Sequence, residues 1–551
     1  MTATGQREQH PIGGAAPRVV VVGAGFGGLA AVRRLTRAGM QTTLVDRNIY
    51  ATFQPLLYEV ASAGLSSSDV AYPARSVSRR YHAAFRHGEL AGIDTVVGRI
   101  TLAEGATLGY DYLILATGVA AAYHGIPGAA DYSLGLYTRH DAVVLRDRIM
   151  TGLERISLAG LRNDVTVTVV GGGATGVELA GSIADLRNIA LAASYPEIDR
   201  DRVHVVLIEQ APALLEPFHS ALRDYTRRQL AARGVDVRLG TAIAEITPGQ
   251  VVLADGSALG SDVTVWAAGV AAPEAVAKWG LPQAGGGRIV TGPDLRVTGH
   301  DRIFAIGDIA LIEDHPLPQL AQPALQMGKH AANQVGRLVR RQPTVAFRYR
   351  DKGIMATIGY RSAVVELPHR VRMHGTLAWL AWLVLHLITL LGGRNRISAL
   401  VNMSWRYFTW RRGGGLIVGD GMTGLTPRGS PAGLAAPSQA GTIPPWALNL
   451  AQVLHRGGRW HGQGMPASRS RAVAAAAAAT TNGNGARRIA RAPATRTPAG
   501  LAQPAKPCPW VRAAVATRAV SSTAVAADSR CCRRRGTRNR FPDSGPASRN
   551  A

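Results

Sequence analysis

The chain has 551 residues and a formal net charge of +26, so it is strongly basic and long enough for two or three domains. Its three cysteines, Cys508, Cys531 and Cys532, leave residues 1–507 without a disulfide, a redox-active dithiol or a thiolate metal site. Residues 421–551 hold 19 Lys or Arg and two Asp, and they carry +17 of the net charge. A basic tail alone does not indicate nucleic-acid binding, and we expect no nucleic-acid partner.

The first part of the chain has the pattern of a parallel α/β unit. Residues 1–17 are polar and lack the apolar core of a signal peptide, so they are predicted to be flexible and the protein to be cytoplasmic. Residues 18–23 are a short, β-branched run that predicts a buried strand. A helix over residues 27–38 and a second strand over residues 42–46 are predicted to follow it.

The turn between this strand and helix carries a glycine motif. Gly23, Gly25 and Gly28 are spaced so that the first allows a tight turn, the second lets the backbone approach a pyrophosphate, and the third allows close helix–strand packing. Asp46 ends the next strand, where it can accept hydrogen bonds from ribose hydroxyls. The alternative is an ordinary glycine-rich turn before a helix.

The same pattern of strand, glycine turn, helix and strand returns over residues 165–209. Gly171, Gly173 and Gly176 repeat the glycine spacing, and Glu209 ends the paired strand. An acid at that position binds a free 2′-hydroxyl and repels a 2′-phosphate, which favours NADH over NADPH. The alternative is that Glu209 only faces solvent.

Two copies of one domain type predict an α/β fold with two Rossmann-like dinucleotide-binding domains. Strands like those of the first domain resume at residues 303–308, so the second domain is predicted to be inserted in the first. Two different dinucleotide sites imply an electron relay, with FAD in the first domain and NADH in the second. The predicted limits are residues 1–17 for the flexible N-terminus, 18–135 and 291–370 for the FAD-binding domain, 136–290 for the NADH-binding domain, 371–420 for C-terminal membrane-anchoring helices and 421–551 for a disordered basic tail.

Several segments together resemble the type II NADH:quinone oxidoreductases, which are two-dinucleotide-binding-domain flavoproteins. The segments are residues 53–61 (FQPLLYEVA), 171–178, 306–308, 321–326 (AQPALQ) and the tryptophan-rich residues 376–412. The AQPALQ segment is the most specific, being the quinone-site pattern of that family, although Met327 stands where a second glutamine is usual. The resemblance extends over roughly residues 19–420. It implies hydride transfer from NADH to FAD and then electron transfer to a membrane quinone without proton pumping.

The resemblance also implies roles for individual residues. Gln322 and Gln326 would lie beside the flavin and offer amide donors to quinone carbonyls, although two glutamines four apart otherwise indicate a solvated helix face. Glu178 would assist proton transfer; the alternative is a first-turn acid stabilised by the helix dipole. Asp308 would bond ribityl hydroxyls, and Lys352 would act on the flavin electrostatically or be plain surface charge. The remaining candidate cofactor-binding residues are Gln54 in the FQPLLYEVA segment, and Thr117, Gly118 and Gly269 at two strand-to-glycine crossings between the domains.

Two C-terminal segments predict contact with a membrane surface. Residues 377–391 are nearly all apolar but too short to span a bilayer, and they place Trp379, Trp382, His386 and Thr389 on one helical face. Residues 397–412 add aromatic residues and arginines, which favour headgroups and anionic lipid. We therefore predict an in-plane anchor at the cytoplasmic face of the cell membrane. The alternative is a buried core helix or a dimer contact, and a homodimer stays open.

The cysteine distribution also separates competing enzyme classes. Sulfide:quinone oxidoreductases and disulfide reductases need reactive cysteines, and residues 1–507 have none. The alternative function that remains is an NADH-dependent flavoprotein reductase or sensor of the same superfamily with an acceptor other than a quinone.

Overall fold

The computed structural model describes residues 16–158, 164–313 and 315–409, without the side chains of residues 406–409. The predicted disordered tail, residues 421–551, lies outside the described residues. So do residues 410–420 at the end of the predicted anchoring segment, and residues 1–15 of the predicted flexible N-terminus.

The first sheet has five parallel strands, as predicted for a dinucleotide-binding unit. Its strands are, in spatial order, Ile303–Ala305, Tyr112–Leu115, Arg18–Val22, Gln41–Asp46 and Ala84–His87. The residues from Val19 to Val22 are each at most 4% exposed, because helices and loops cover both faces of the sheet. The helix Phe26–Arg37 joins the two central strands and packs along the helix Ala321–Val339.

The second sheet repeats this arrangement. Its strands are, in spatial order, Leu134–Gly135, Val263–Trp266, Val165–Val170, Val203–Ile208 and Val235–Arg238, all parallel. The helix Ala174–Asp185 follows the central strand and continues through a π-helical turn, Leu186–Ala190, into Leu191–Ser194. All five strands lie in the chain between Tyr112–Leu115 and Ile303–Ala305, which are neighbours in the first sheet. The second sheet is thus formed by a segment that lies between two neighbouring strands of the first sheet.

Smaller antiparallel elements complete the framework. They are the strand groups Tyr50–Thr52 with Ala71–Pro73; Leu90–Asp94, Arg99–Leu102 and Thr107–Gly109; Ala120–Ala121 with Val270–Ala271; Ile243–Thr247, Gln250–Leu253 and Ala258–Gly260; and Ile354–Gly359, Ser362–Leu367 and Val371–His374. Gln283–Ala284 pairs antiparallel with Arg288–Thr291, which pairs parallel with Ala310–Ile312. Other α-helices of the described residues are Leu57–Ala61, Ala74–Arg80, Ala129–Tyr132, Arg139–Leu158 and Ser220–Ala232, and short 3-10 helices are Gln54–Leu56, Arg200–Arg202, Glu274–Trp279, Gly307–Ile309 and Pro368–Arg370.

Strand pairing differs from the predicted domain limits at three points. Leu134–Gly135 belongs to the second sheet, and the limit at 290/291 cuts the strand Arg288–Thr291. The limit at 370/371 separates Val371–His374 from its hairpin, which packs on the helix Ala174–Asp185. Alternating apolar residues indicate a strand but not its partner, and only the folded chain supplies the pairing.

Two helices, Gly375–Thr389 and Gly393–Thr409, close the described part of the chain. Trp379 and Trp382 of the first helix face the protein interior; Trp382 is only 1% exposed. The solvent-facing side of that helix is aliphatic, with Leu377 74% exposed. Among the described residues, no helix is both long enough and apolar enough to cross a bilayer.

Candidate active site

The two glycine turns have the same backbone geometry. Gly23 and Gly171 both have φ of +109°, a conformation that side chains rarely adopt. A Cβ atom at Gly23 would lie 2.2 Å from the carbonyl oxygen of Ala116, and one at Gly171 would lie 2.6 Å from that of Ala267. Each glycine therefore lets its strand turn directly beneath the neighbouring strand end.

The middle and third glycines serve different purposes. A Cβ at Gly28 or Gly176 would lie 1.8 Å from the carbonyl oxygen of the first glycine of its own motif, so these residues are required for packing. A Cβ at Gly25 or Gly173 would meet nothing within 4 Å. Each of these middle glycines is the N-cap of its helix, so no side chain caps the helix N-terminus there. The first turn of each helix also contains no acidic residue. Open space at an uncapped helix N-terminus fits a pyrophosphate at both turns.

The two acids hold equivalent positions beside these turns. Asp46 accepts hydrogen bonds from Ala24 N and Asn48 N, both at 2.6 Å. Glu209 accepts a hydrogen bond from Gly172 N at 2.5 Å and one from Ala211 N at 2.7 Å. In each case one carboxylate oxygen accepts a hydrogen bond from the backbone N–H of the residue after the first glycine. The other carboxylate oxygen accepts one from the backbone N–H of the residue two positions beyond the acid. Both acids are thereby fixed at a strand end with lone pairs left for ribose hydroxyls.

A cleft that is open to solvent begins at the first glycine turn. Six of the predicted cofactor-binding residues line it: Gly23, Gly25, Asp46, Gln54, Thr117 and Gly118. The cleft contains three buried polar atoms without a hydrogen-bond partner among the described residues, namely Gln54 Oε1, Thr117 Oγ1 and Trp279 Nε1. Buried polar atoms are normally paired, so these three fit a bound group with hydrogen-bonding atoms along its length, such as FAD.

Asp308 contacts a residue that the sequence reasoning missed. The Tyr137 hydroxyl donates to Asp308 Oδ2 at 3.3 Å, and Tyr137 lines the cleft. Burial raises the pKa of Asp308, whereas the hydrogen bond from Tyr137 and the charge of Arg288 lower it. The pKa of Tyr137 is raised by burial and by the neighbouring Asp308 charge. Tyr137 follows the strand Leu134–Gly135 in the second sheet, so only the folded arrangement of the two domains brings it to the cleft.

Gly269 does not line this cleft. It has φ of +143° just beyond the strand Val263–Trp266, and a Cβ there would lie 2.6 Å from Nε2 of His124. Its carbonyl oxygen accepts a hydrogen bond from Ala122 N at 3.1 Å. The residue thus lies at a crossing between the two sheets, as its sequence position indicates.

Glu178 is half-buried near the start of the second glycine-motif helix. That helix begins at Ala174, so Glu178 is its fifth residue, and the alternative of a first-turn acid is wrong. Desolvation and, to a smaller extent, the neighbouring Glu59 carboxyl raise the pKa of the Glu178 carboxyl to about 8, while the hydrogen bond from Thr357 N acts in the opposite direction. A pKa in this range allows the carboxyl both to hold and to release a proton near neutral pH.

Gln322 and Gln326 occupy the first turns of the helix Ala321–Val339 but have different surroundings. Gln326 donates from Nε2 to Arg350 O at 2.9 Å and accepts from Arg350 N at 3.0 Å. Gln322 is half-buried and makes no side-chain hydrogen bond to another described residue. Met327 is 2% exposed and belongs to the core around the first sheet, so the departure from the family pattern falls on a packing position. Lys352 is exposed.

Backbone contact between two helices places this glutamine pair beside the first glycine turn. A Cβ at Gly328 would lie 2.1 Å from the carbonyl oxygen of Gly27, and a Cβ at Gly27 would lie 3.1 Å from that of Ala324. The helix Ala321–Val339 therefore crosses the helix Phe26–Arg37 at van der Waals distance between main chains. Its N-terminal part, which contains Gln322 and Gln326, therefore lies next to the first glycine motif.

Known proteins share this arrangement. The pyridine nucleotide-disulphide oxidoreductase family matches residues 17–328. A type II NADH:quinone oxidoreductase of Mycobacterium tuberculosis is 34% identical over 422 residues, which cover 72% of this chain and 89% of the relative. One of Staphylococcus aureus is 31% identical over 360 residues, covering 63% of this chain and 89% of the relative.

Two solved structures share the fold. NDH2 of Plasmodium falciparum in complex with NADH has a TM-score of 0.67 at 21% identity and covers 72% of this chain and 99% of its own. The sulfide:quinone oxidoreductase of Aquifex aeolicus has a TM-score of 0.57 at 18% identity and covers 72% of this chain and 92% of its own. The fold alone therefore does not separate these two activities, whereas the absence of cysteine from residues 1–507 does.

Proposed function

Because the chain belongs to the type II NADH:quinone oxidoreductases, within the pyridine nucleotide-disulphide oxidoreductase family, we propose that its two glycine-rich turns divide one reaction between them. The enzyme oxidises NADH through FAD and reduces a quinone, without pumping protons. The first turn, with Asp46, holds FAD, and the second, with Glu209, holds NADH. The observation that carries this assignment is the duplicated turn, with an open middle glycine and an acid bonded to the backbone in both copies.

The residues along the cleft divide the binding of FAD. The first glycine turn receives the pyrophosphate, and Asp46 receives a ribose. Gln54 and Thr117 offer their unpaired buried atoms further along, and Asp308 with Tyr137 bonds the ribityl hydroxyls. When bound, FAD supplies an acceptor that takes electrons as a pair and releases them singly or in pairs.

The acceptor end is formed by the helix Ala321–Val339. The free amide of Gln322 supports a role as donor to a quinone carbonyl, where negative charge develops during reduction. The side-chain amide of Gln326 makes two hydrogen bonds with the Arg350 backbone. Its role is to hold the backbone segment that leads to Lys352. Glu178 holds a proton near the reaction centre for delivery to the reduced quinone.

The last two helices present an aliphatic surface that supports docking on a membrane. The exposed residues of this apolar surface are Leu377, Leu380, Val384, Leu385, Ile388, Ile397, Leu400, Val401 and Trp405. A contiguous exposed apolar area of this kind is unusual on a water-soluble surface. In-plane docking at the cytoplasmic face would bring the cleft to a quinone that stays in lipid.

The polar side of the last helix faces inward, which supports the same orientation. The Ser398 hydroxyl donates to Asp69 Oδ1 at 2.6 Å, and the Asn402 amide donates to Asp69 Oδ2 at 2.7 Å. The Asn395 amide donates to Ala71 O at 2.8 Å. Asp69 itself is only 3% exposed. A helix with polar residues inside and apolar residues outside is expected where the outer medium is lipid.

Anaerobic mixing tests the assignment. The flavin absorbance of the purified holoenzyme is followed after addition of NADH or NADPH and then of a short-chain quinone. We expect bleaching by NADH, much slower bleaching by NADPH, and recolouring by quinone. Glu209→Ala should reduce the difference between the rates at which NADH and NADPH bleach the flavin. Glu245→Ala, on an exposed hairpin strand, should leave that difference unchanged. Flavin that NADH bleaches but quinone does not reoxidise would refute the quinone assignment and favour another acceptor.

A further inference from the structure

Arg139 is a half-buried cation in the wall of the cleft that begins at the first glycine turn. Its Nε donates to the Ser67 carbonyl oxygen at 3.2 Å, and a terminal nitrogen donates to the Ser67 hydroxyl at 3.0 Å. The guanidinium carbon lies 5.2 Å from the centre of the Tyr50 ring, which also lines the cleft. These contacts hold the side chain at the cleft wall, but all of them are with neutral groups.

The other charged residues of the cleft do not neutralise Arg139. The cleft is lined by four charged residues, namely Asp46, Arg47, Glu89 and Arg139. Arg47 Nη1 lies 3.7 Å from Glu89 Oε1, and the Asp46 carboxylate accepts hydrogen bonds from backbone N–H groups. Within the described part of the chain, Arg139 forms no ion pair with a carboxylate. A charge that is partly removed from water without an opposite charge costs free energy, and a bound anion would offset that cost.

The place of Arg139 in its helix adds to this cost. Arg139 is the first residue of the helix Arg139–Leu158, where the positive end of the helix dipole disfavours a cation. The start of this helix is fixed by a reciprocal pair of hydrogen bonds: Asp141 N donates to Thr138 Oγ1 at 3.1 Å, and Thr138 N donates to Asp141 Oδ2 at 2.8 Å. A cation that is fixed at an unfavourable helix end, in the wall of a cleft, indicates an anionic ligand.

Arg139 lies between the residues that are assigned to the ribityl chain and those assigned to the adenosine ribose. It shares a short segment with Tyr137, whose hydroxyl donates to Asp308. Its guanidinium also lies over Tyr50, which comes just after the strand that Asp46 ends. In FAD the diphosphate joins the ribityl chain to the adenosine, so it is the part of the cofactor that falls between these residues. The diphosphate is anionic, and a guanidinium matches the geometry of phosphate oxygens.

We propose that Arg139 binds the diphosphate of FAD. The inference rests on the proposed function, which assigns this cleft to FAD. The first glycine turn offers the diphosphate backbone N–H groups, but residues 23–28 contain no Lys or Arg, so Arg139 supplies a positive charge that the turn lacks. The helix Arg139–Leu158 lies in the chain between two strands of the second sheet, Leu134–Gly135 and Val165–Val170. A side chain from the NADH-binding domain thereby helps to hold the cofactor of the FAD-binding domain.

The rate at which the holoenzyme releases FAD tests this role. Release is followed as the rise in flavin fluorescence after dilution, without NADH or quinone. Arg139→Gln should release FAD about tenfold faster or more, because a charge-assisted hydrogen bond to phosphate is lost. Added salt should accelerate release from the wild type more than from Arg139→Gln, since it screens the charge that the variant lacks. The matched control Arg148→Gln, at an exposed arginine of the same helix, should behave as the wild type. An unchanged release rate in Arg139→Gln would overturn the proposal.

Phosphorus NMR of the holoenzyme separates a contact with the diphosphate from a purely structural role. In Arg139→Lys we expect the phosphorus resonances of bound FAD to shift from their wild-type positions, because an ammonium replaces the planar guanidinium beside the phosphate oxygens. In Arg148→Lys they should not shift. If Arg139 only joined its helix to Ser67, the resonances in Arg139→Lys would stay at their wild-type positions, and that outcome would overturn the proposal. This variant keeps the charge, so it provides the test even if Arg139→Gln does not fold.

These measurements separate the role of Arg139 from the proposed function. Faster FAD release from Arg139→Gln, in an enzyme that NADH reduces but quinone does not reoxidise, would refute the quinone assignment and leave the diphosphate contact in place. Normal reduction by NADH and reoxidation by quinone, with wild-type FAD release in Arg139→Gln and unshifted phosphorus resonances in Arg139→Lys, would refute the diphosphate contact alone.

Discussion

Glu178→Gln should make the protein more stable at high pH while it slows quinone reduction. The Glu178 carboxyl has a pKa of about 8 in the folded protein, against 4.5 as its ordinary value. Between these two values the folded state keeps a proton that the unfolded state has lost, so the free energy of unfolding decreases as pH rises. At about 1.4 kcal/mol for each unit, the full difference reaches about 5 kcal/mol at and above pH 8. Glutamine stays neutral and keeps an oxygen to accept the Thr357 N–H.

Thermal unfolding as a function of pH measures this effect. The midpoints of Glu178→Gln and wild type should agree at about pH 4.5 and then diverge, with the variant higher by roughly 10 °C near pH 8. Glu245→Gln removes an exposed carboxylate and should show no such divergence. A difference between Glu178→Gln and wild type that is the same at all pH values would refute the reasoning, because a packing effect of the substitution does not depend on protonation.

Three further predictions concern the glycine turns, the last helix and the apolar surface. Gly25→Val should fold but lose FAD, which the flavin content measures, and Gly173→Val should keep FAD but raise the KM for NADH at least tenfold in steady-state kinetics. Gly28→Val should be destabilised by about 4 kcal/mol or more, which thermal unfolding measures. Asp69→Ala should expose the last helix to protease and lower the free energy of unfolding by about 3 kcal/mol, because the Ser398 and Asn402 side chains lose a buried charged acceptor. Unchanged proteolysis would contradict the inward orientation of the polar side of this helix. Leu380→Lys with Ile388→Lys should weaken flotation with anionic vesicles at least tenfold, whereas Val96→Lys, at a more exposed residue in a turn, should not.

The sequence was sufficient for the two dinucleotide turns because their chemistry is local. The roles of Gly23, Gly25 and Gly28 depend on one strand, one turn and one helix, all within a short stretch of chain. Asp46 lies on the adjacent strand, and parallel pairing places its end beside the turn without any long-range information. The same holds for the second copy, so both sites could be located before the fold was known.

The residues that sequence reasoning missed depend on contacts between distant segments. Tyr137 reaches Asp308 across 171 positions of sequence, and nothing in its immediate neighbours indicates that contact. Trp382 was predicted to belong to an in-plane membrane anchor, yet it packs against Tyr58 in the interior, and the exposed side of its helix is aliphatic. A helical pattern shows which residues share a face, but it does not show which face turns inward when both faces are apolar.

The contact between the helices Phe26–Arg37 and Ala321–Val339 explains how one chain can couple its two half-reactions. Gly328 and Gly27 are 301 residues apart in sequence, but their main chains touch, so the acceptor end with Gln322 cannot shift without moving the first glycine turn. The helix of the second glycine motif, Ala174–Asp185, makes a contact of the same kind, because a Cβ at Gly181 would lie 2.1 Å from the carbonyl oxygen of Ile358. Both contacts bring main chains to a distance that only glycine permits. A fixed arrangement of this kind suits electron transfer, since it holds the reacting groups at constant separation through both halves of the cycle.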